Sequence, residues 1–159
     1  MHPKVEDALK NRPVAYKVHR HDAFPAPIHS PADFAVQLEY PLERITKTLL
    51  VRTTTGDRYA VVVAPMGRKI DFRAVAGHVG AKRVEVASAA DLSSLTGYPE
   101  KGVSPLGLEN LPVLLDEGLF TFPTILVGAG EAGVEIEIAP DALAHITSAT
   151  RAPLAVVQR

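Results

Sequence analysis

Apolar positions recur along this chain at strand spacing in some stretches and at helix spacing in others, and the changes mark its elements. Val5 to Leu9 predicts a short helix ending near Asn11-Arg12-Pro13, and Val14 to His19 alternates as a strand does. A proline-rich connection with Pro25 and Pro27 follows. Ser30-Pro31 predicts a helix start, with serine as N-cap and proline first in the helix. That helix is expected to run to about Tyr40, where Pro41 forces a break. Ile45 to Thr53 and Arg58 to Ala64 are two strand-like runs, and Thr54-Thr55-Gly56-Asp57 between them predicts a hairpin loop. Asp71 to Val79 predicts a helix closed by Gly80, and Arg83 to Ala87 a short strand. Ser88 is placed to cap a helix through Leu95 that Gly97 ends. Strands are expected near Val113–Asp116, Pro123–Val127 and Val134–Ile138, then a helix from Pro140-Asp141 to about Thr147 and a closing strand at Leu154–Val157. Hairpins mix with single helices and regular βαβ alternation is missing. The expected fold class is therefore α+β or mixed α/β, a mixed sheet with helices packed around it.

Composition narrows the class. At 159 residues one domain, 1–159, is expected, large enough to bury a core without staples. Hydrophobic residues at 47% and charged residues at 22% suit a soluble globular chain. There is no cysteine, which excludes disulfides, thiolate metal sites and a cysteine nucleophile. Met1-His2-Pro3-Lys4-Val5-Glu6-Asp7 has no apolar signal core, and no run approaches the ~18 apolar residues of a membrane span, so a cytoplasmic protein without membrane contact is expected. The net charge of −1 argues against a domain that holds nucleic acid by its own field. Such a chain grips a small part of a nucleic acid, or relies on a partner.

Several motifs invite chemistry. Gly128-Ala129-Gly130-Glu131-Ala132-Gly133 matches GxGxxG and follows a strand, but a dinucleotide site needs a helix opening at the glycines. Here Val134-Glu135-Ile136-Glu137-Ile138 alternates with period two, so the run is expected to be a hairpin turn. His19 and His21 share a strand face near Asp22, but a metal needs three or four convergent ligands. Ser104 stands before a proline rather than in a Gly-x-Ser-x-Gly elbow, and no base is assignable to activate it. Lys47 differs: alternation sets it on one face with Leu49 and Val51, where a lysine is costly unless it has a partner, lines a cavity or snorkels to water. Thr96 to Gly107 holds three glycines and two prolines in twelve residues, a loop shaped in advance that offers bare N–H groups to a carbonyl or phosphate oxygen.

Lys47 and this loop together resemble the YbaK/EbsC-type aminoacyl-tRNA deacylases, a family related to the editing domain inserted in bacterial prolyl-tRNA synthetases. The likeness runs through Ile45-Thr46-Lys47-Thr48-Leu49-Leu50-Val51, Asp71 to Glu85, Thr96-Gly97-Tyr98 with Gly102-Val103-Ser104-Pro105-Leu106-Gly107, and Gly130 to Leu143. It implies a single editing domain with a partly barrel-like sheet, and a trans-editing enzyme that hydrolyses the ester joining a wrong amino acid to a tRNA 3′ end. The substrates it implies are Cys-, Ala- or Ser/Thr-tRNA(Pro). Its implied catalytic residues are Lys47 and Gly102, with His21, Thr48, Lys101, Val103, Ser104, Pro105 and Glu135 around the substrate. It requires no cofactor or metal. The implied partners are the acceptor end of aminoacyl-tRNA and prolyl-tRNA synthetase.

The chain departs from the family pattern. Lys101 stands where a second glycine is usual, and it either adds a phosphate contact or narrows the pocket mouth. Glu131-Ala132 replaces a commonly basic turn, which weakens expected tRNA contact there. His21 and Glu135 stand where cysteine-specific relatives have tyrosine and aspartate, and this leaves the amino acid open. Two other readings remain: a non-catalytic module that binds a tRNA end or a synthetase, and a metal hydrolase using His19, His21 and Asp22.

Overall fold

Residues 1–10 and 12–156 are described by a computed structural model; Asn11 and residues 157–159, with them Val157 of the expected closing strand, fall outside it. Among the described residues eight strands form two sheets. The smaller is antiparallel, in the order β1-β7-β6, from β1 (Tyr16–Arg20), β6 (Ile125–Gly128) and β7 (Val134–Ile138). The larger runs β4-β2-β3-β5-β8, from β2 (Thr46–Thr53), β3 (Tyr59–Pro65), β4 (Val84–Val86), β5 (Val113–Asp116) and β8 (Thr150–Ala152). It is mixed, because β5 pairs parallel with both β3 and β8. The sheets meet where β2 begins. There Ile45 bridges Leu126, and the Thr46 hydroxyl donates to the Leu126 carbonyl at 2.8 Å. The expected mixed α/β architecture is present, its sheet divided in two and joined at this seam.

The helices are α1 (Pro3–Leu9), α2 (Pro31–Leu38), α3 (Phe72–Val79), α4 (Ala89–Thr96) and α5 (Pro140–Thr147). The serine caps read from sequence are made, and Asp71, expected as the first residue of α3, is its cap. Ser30 accepts from Asp33, Asp71 from Arg73 and Ala74, and Ser88 from Asp91, satisfying first-turn N–H groups. The helix expected to reach Tyr40 ends two residues sooner, because Glu39 turns left-handed at φ 58°. The largest core cluster lies between the sheets and takes in Val5 and Leu9 of α1, Val127, Ile136 and Ile138 of the smaller sheet, and Val61, Val63 and Leu115 of the larger. Val62, Val75, Leu114 and Leu154 fill a second cluster on the other face of the larger sheet.

The expected closing strand at Leu154–Val157 is corrected. Strand β8 lies earlier, at Thr150–Ala152, and stops before Pro153, which has no N–H to continue a ladder. The Leu154 and Ala155 N–H groups instead donate to the buried carboxylate of Asp116, at 2.8 and 2.9 Å. The Gly128–Gly133 run is the hairpin turn between β6 and β7, paired from Gly128↔Glu135 to Ile125↔Ile138.

Candidate active site

Where the two sheets join, a cleft of about 580 Å³ opens between the start of β2, α2, the β6–β7 turn and the glycine-proline loop. The cleft gathers Lys47 and Thr48 from β2, Lys101, Gly102 and Val103 from the loop, His21 from the 3-10 turn that follows β1, and Glu135 from β7. Two expected binding residues lie elsewhere. Ser104 is fully buried, and its hydroxyl accepts from the Leu106 N–H at 3.1 Å, so it fixes the loop's backbone. Pro105 borders a separate cleft on the loop's other side, with Lys4, Glu109 and Thr147.

Lys47 is half-buried at the end of the strand face that carries Leu49 and Val51 into the core. Its ammonium donates to the carbonyl of Arg68, and burial lowers its pKa below the usual lysine value. A single backbone carbonyl leaves the ammonium able to take further acceptors.

The loop is held from behind. Tyr98, fully in the core, donates to the Leu106 carbonyl at 2.5 Å, and burial pushes its hydroxyl up to about 12. The Gly102 carbonyl accepts from Gly130 N–H at 2.7 Å. Gly102 itself has φ +129°, and a Cβ there would meet the Glu131 carbonyl carbon at 2.7 Å and its oxygen at 2.8 Å. A Cβ on Gly128 would collide with the Val103 carbonyl. The glycines of the β6–β7 turn therefore let two backbone segments touch. None of the backbone hydrogen bonds among the described residues uses the N–H of Lys101, Gly102 or Val103. Donors left free in a rigid loop suit a developing oxyanion.

The cleft's far wall is aromatic and charged. Phe34 of α2 packs its ring 5.0 Å from His21, whose Nε2 stands 3.6 Å from Glu135 Oε1. Deeper on the same face, His19 Nε2 lies 2.8 Å from Glu137 Oε1, while Tyr40 and Thr124 donate to Oε2 at 2.9 and 2.5 Å. Each histidine thus pairs with its own glutamate, and no group of three metal-ligating side chains forms among the described residues. Phe34, His29 and Ser30 were not expected at this site, and the only sequence signal for them is the capped helix start that brings them there.

Residues 25–146 match the model of the aminoacyl-tRNA editing domain. Over 108 residues the chain is 37% identical to an Enterococcus faecalis protein named "Putative Cys-tRNA(Pro)/Cys-tRNA(Cys) deacylase EbsC", covering 66% of this chain and 64% of that one. Over 104 residues it is 36% identical to the proline–tRNA ligase of a Sulfurihydrogenibium species, covering 65% of this chain but 18% of the ligase. The crystal structure of hypothetical protein APE2540 superposes with a TM-score of 0.83 at 28% identity, over 96% of this chain and 99% of that one. The chain belongs to the aminoacyl-tRNA editing domain family.

Proposed function

We propose that this chain is a deacylase that hydrolyses the ester between a small amino acid and the 3′ end of a tRNA. The observation that carries the reading is the shared cleft, in which a half-buried lysine and a loop with three unused N–H groups line one cavity. An aminoacyl ester is already activated, so water attacks it without a strong protein base, and catalysis rests on placing the ester and stabilising the oxyanion. The loop N–H groups at Gly102 and its neighbours receive the developing negative oxygen. The Lys47 ammonium holds the terminal ribose or phosphate, or assists the carbonyl electrostatically. As the tetrahedral intermediate collapses, the ribose oxygen leaves and takes a proton from water. No metal or organic cofactor enters these steps.

The editing unit is taken to span 1–159, beyond the matched region, because α1 buries Val5 and Leu9 in the main core. Candidate substrates are tRNA(Pro) carrying cysteine, alanine, serine or threonine, met in the cytoplasm. With a net charge of −1 the tRNA grip is weak and salt-sensitive, and prolyl-tRNA synthetase would raise the effective concentration. The test is deacylation of these four charged tRNAs by wild type and Lys47→Ala. The expected outcome is turnover of at least one, reduced roughly 100-fold by the substitution. Wild-type inactivity on all four refutes the reading, and measurable binding of an uncleavable aminoacyl-adenosine without turnover identifies a binding module instead.

A further inference from the structure

One buried side-chain polar atom in the cleft is left without a partner. His21 Nε2 is buried and has no hydrogen-bond partner among the described residues. Glu135 Oε1, 3.6 Å away, is beyond hydrogen-bond length. The ring is well fixed. The His21 backbone N–H donates to the Gly133 carbonyl at 2.9 Å, and the imidazole packs against Phe34 at a tilt of 42°. The neighbouring pair on the same face makes the contrast. His19 and Glu137 are in contact at 2.8 Å, and Glu137 takes further donors from Tyr40 and Thr124. One histidine–glutamate pair is closed and structural; the other is open and lines the cleft. A buried imidazole nitrogen without a partner is destabilising, which makes it a natural place for a ligand group to complete.

We propose that His21 and Glu135 make this cleft select aminoacyl groups with a side-chain hydroxyl, serine and threonine, over alanine. The proposal rests on the deacylase reading above and names its substrate class. Every aminoacyl ester carries an α-ammonium, and the Glu135 carboxylate is its counter-charge. Nε2 is screened from solvent beside Glu135, so the side-chain hydroxyl reaches it as the Glu135 carboxylate turns to the ammonium. A hydroxyl both donates and accepts, so it completes Nε2 in either tautomer of the ring. A methyl group does neither, and a thiol does both weakly. A purely apolar pocket discriminates poorly between small side chains of similar size, whereas one with a buried polar group rejects a ligand that leaves that group unpaired. One unsatisfied buried atom corresponds to a preference of roughly 5- to 100-fold.

Two measurements test this. The first is kcat/KM on tRNA charged with serine, threonine or alanine, for wild type, His21→Phe and His21→Gln. The expected result is a serine-over-alanine ratio of roughly 5 to 100 in wild type. His21→Phe should bring that ratio towards one, and His21→Gln, which keeps a donor and an acceptor, should restore part of it. The second is the Kd of wild type for the uncleavable 3′-amides of seryl- and alanyl-adenosine, which needs no turnover and no variant. Tighter binding of the seryl amide with no hydrolysis of any ester would leave this inference standing and remove the deacylase reading. Hydrolysis with equal or better use of alanine, or a ratio that His21→Phe leaves unchanged, overturns the inference and leaves the deacylase reading intact.

Discussion

Gly102→Ala perturbs the loop at the point where it rests on the β6–β7 turn. The new Cβ would lie 2.7 Å from the Glu131 carbonyl carbon, where ordinary contact begins at 3.4 Å. The obstructing atoms are backbone, so no side chain can swing aside, and the loop must retreat by about 0.7 Å, the shortfall between those two distances. A displacement approaching 1 Å of a group that positions a reacting centre costs roughly 100-fold in rate. The φ of +129° adds backbone strain of about 1–3 kcal/mol for a residue with a side chain. Since domains of this size are stable by about 5–15 kcal/mol, the variant should still fold. The control is Gly56→Ala in the β2–β3 hairpin, where φ is +76° but no atom lies within 4 Å of the added Cβ. It carries comparable strain and leaves the cleft alone. Urea denaturation of both variants, beside single-turnover deacylation of charged tRNA, separates strain from displacement. The expected result is stability loss in both and rate loss in Gly102→Ala alone. A folded Gly102→Ala protein within about threefold of wild-type rate, against the roughly 100-fold loss argued from displacement, would refute the idea that this contact sets the loop's catalytic position.

Lys47→Met should be more stable than wild type at pH 8, with the gap narrowing towards pH ~10.4, the unfolded lysine value. Below the lowered folded pKa both states hold the proton and the burial cost is complete; between the two values the unfolded chain binds more protons, so wild-type stability rises with pH. Urea midpoints at several pH values check this, and a constant gap contradicts it. Tyr98→Phe removes the 2.5 Å bond to the Leu106 carbonyl and leaves that oxygen buried, costing about 1–3 kcal/mol in chemical denaturation. In Asp116→Ala the Leu154, Ala155 and Gly118 N–H groups lose their acceptor, and a loss of at least about 2 kcal/mol is expected in the same assay.

Features that depend on neighbours in sequence were legible from it. Ser30 and Ser88 each precede their helices by one residue and accept first-turn N–H groups, as their residue type dictates. Period-two alternation after Gly133 was enough to turn a nucleotide-like motif into a hairpin. The strand at Thr150–Ala152 was not legible, because the more apolar stretch lies after Pro153. Leu154 and Ala155 give their N–H groups to the carboxylate of Asp116, 38 and 39 residues earlier, and the segment pairs only through an isolated antiparallel bridge from Ala155 to Ile70; no local pattern reports either contact. The site divides along the same line. A lysine on an apolar strand face is anomalous in sequence, so Lys47 stood out. Phe34 reads as an ordinary core residue of an amphipathic helix, and only the fold shows its ring against His21. Ser104 misled for the opposite reason: its loop reaches the cleft, but its side chain turns inward to hold Leu106.

The cleft's walls come from segments far apart in sequence, so something must set their spacing, and Glu137 is placed to do it. Burial alone would raise its pKa, but the hydrogen bonds from Thr124, His19 and Tyr40 outweigh burial and hold it below the usual glutamate value. Those donors sit on β1, just past the end of α2, and just before β6, and the Arg44 guanidinium adds a fourth element at 3.6 Å. Each carries a cleft wall with it: His21 follows β1 by one residue, Phe34 lies within α2, and Gly128 ends β6. A buried charge cluster of this kind is weak evidence for stability, since apolar replacements often hold a fold as well. Its value here is geometric. An apolar contact tolerates sliding, whereas one carboxylate shared by several directed donors admits few arrangements. The closed His19–Glu137 pair can therefore hold the smaller sheet against α2, while the His21–Glu135 pair, one step along the same face, is left unclosed at 3.6 Å.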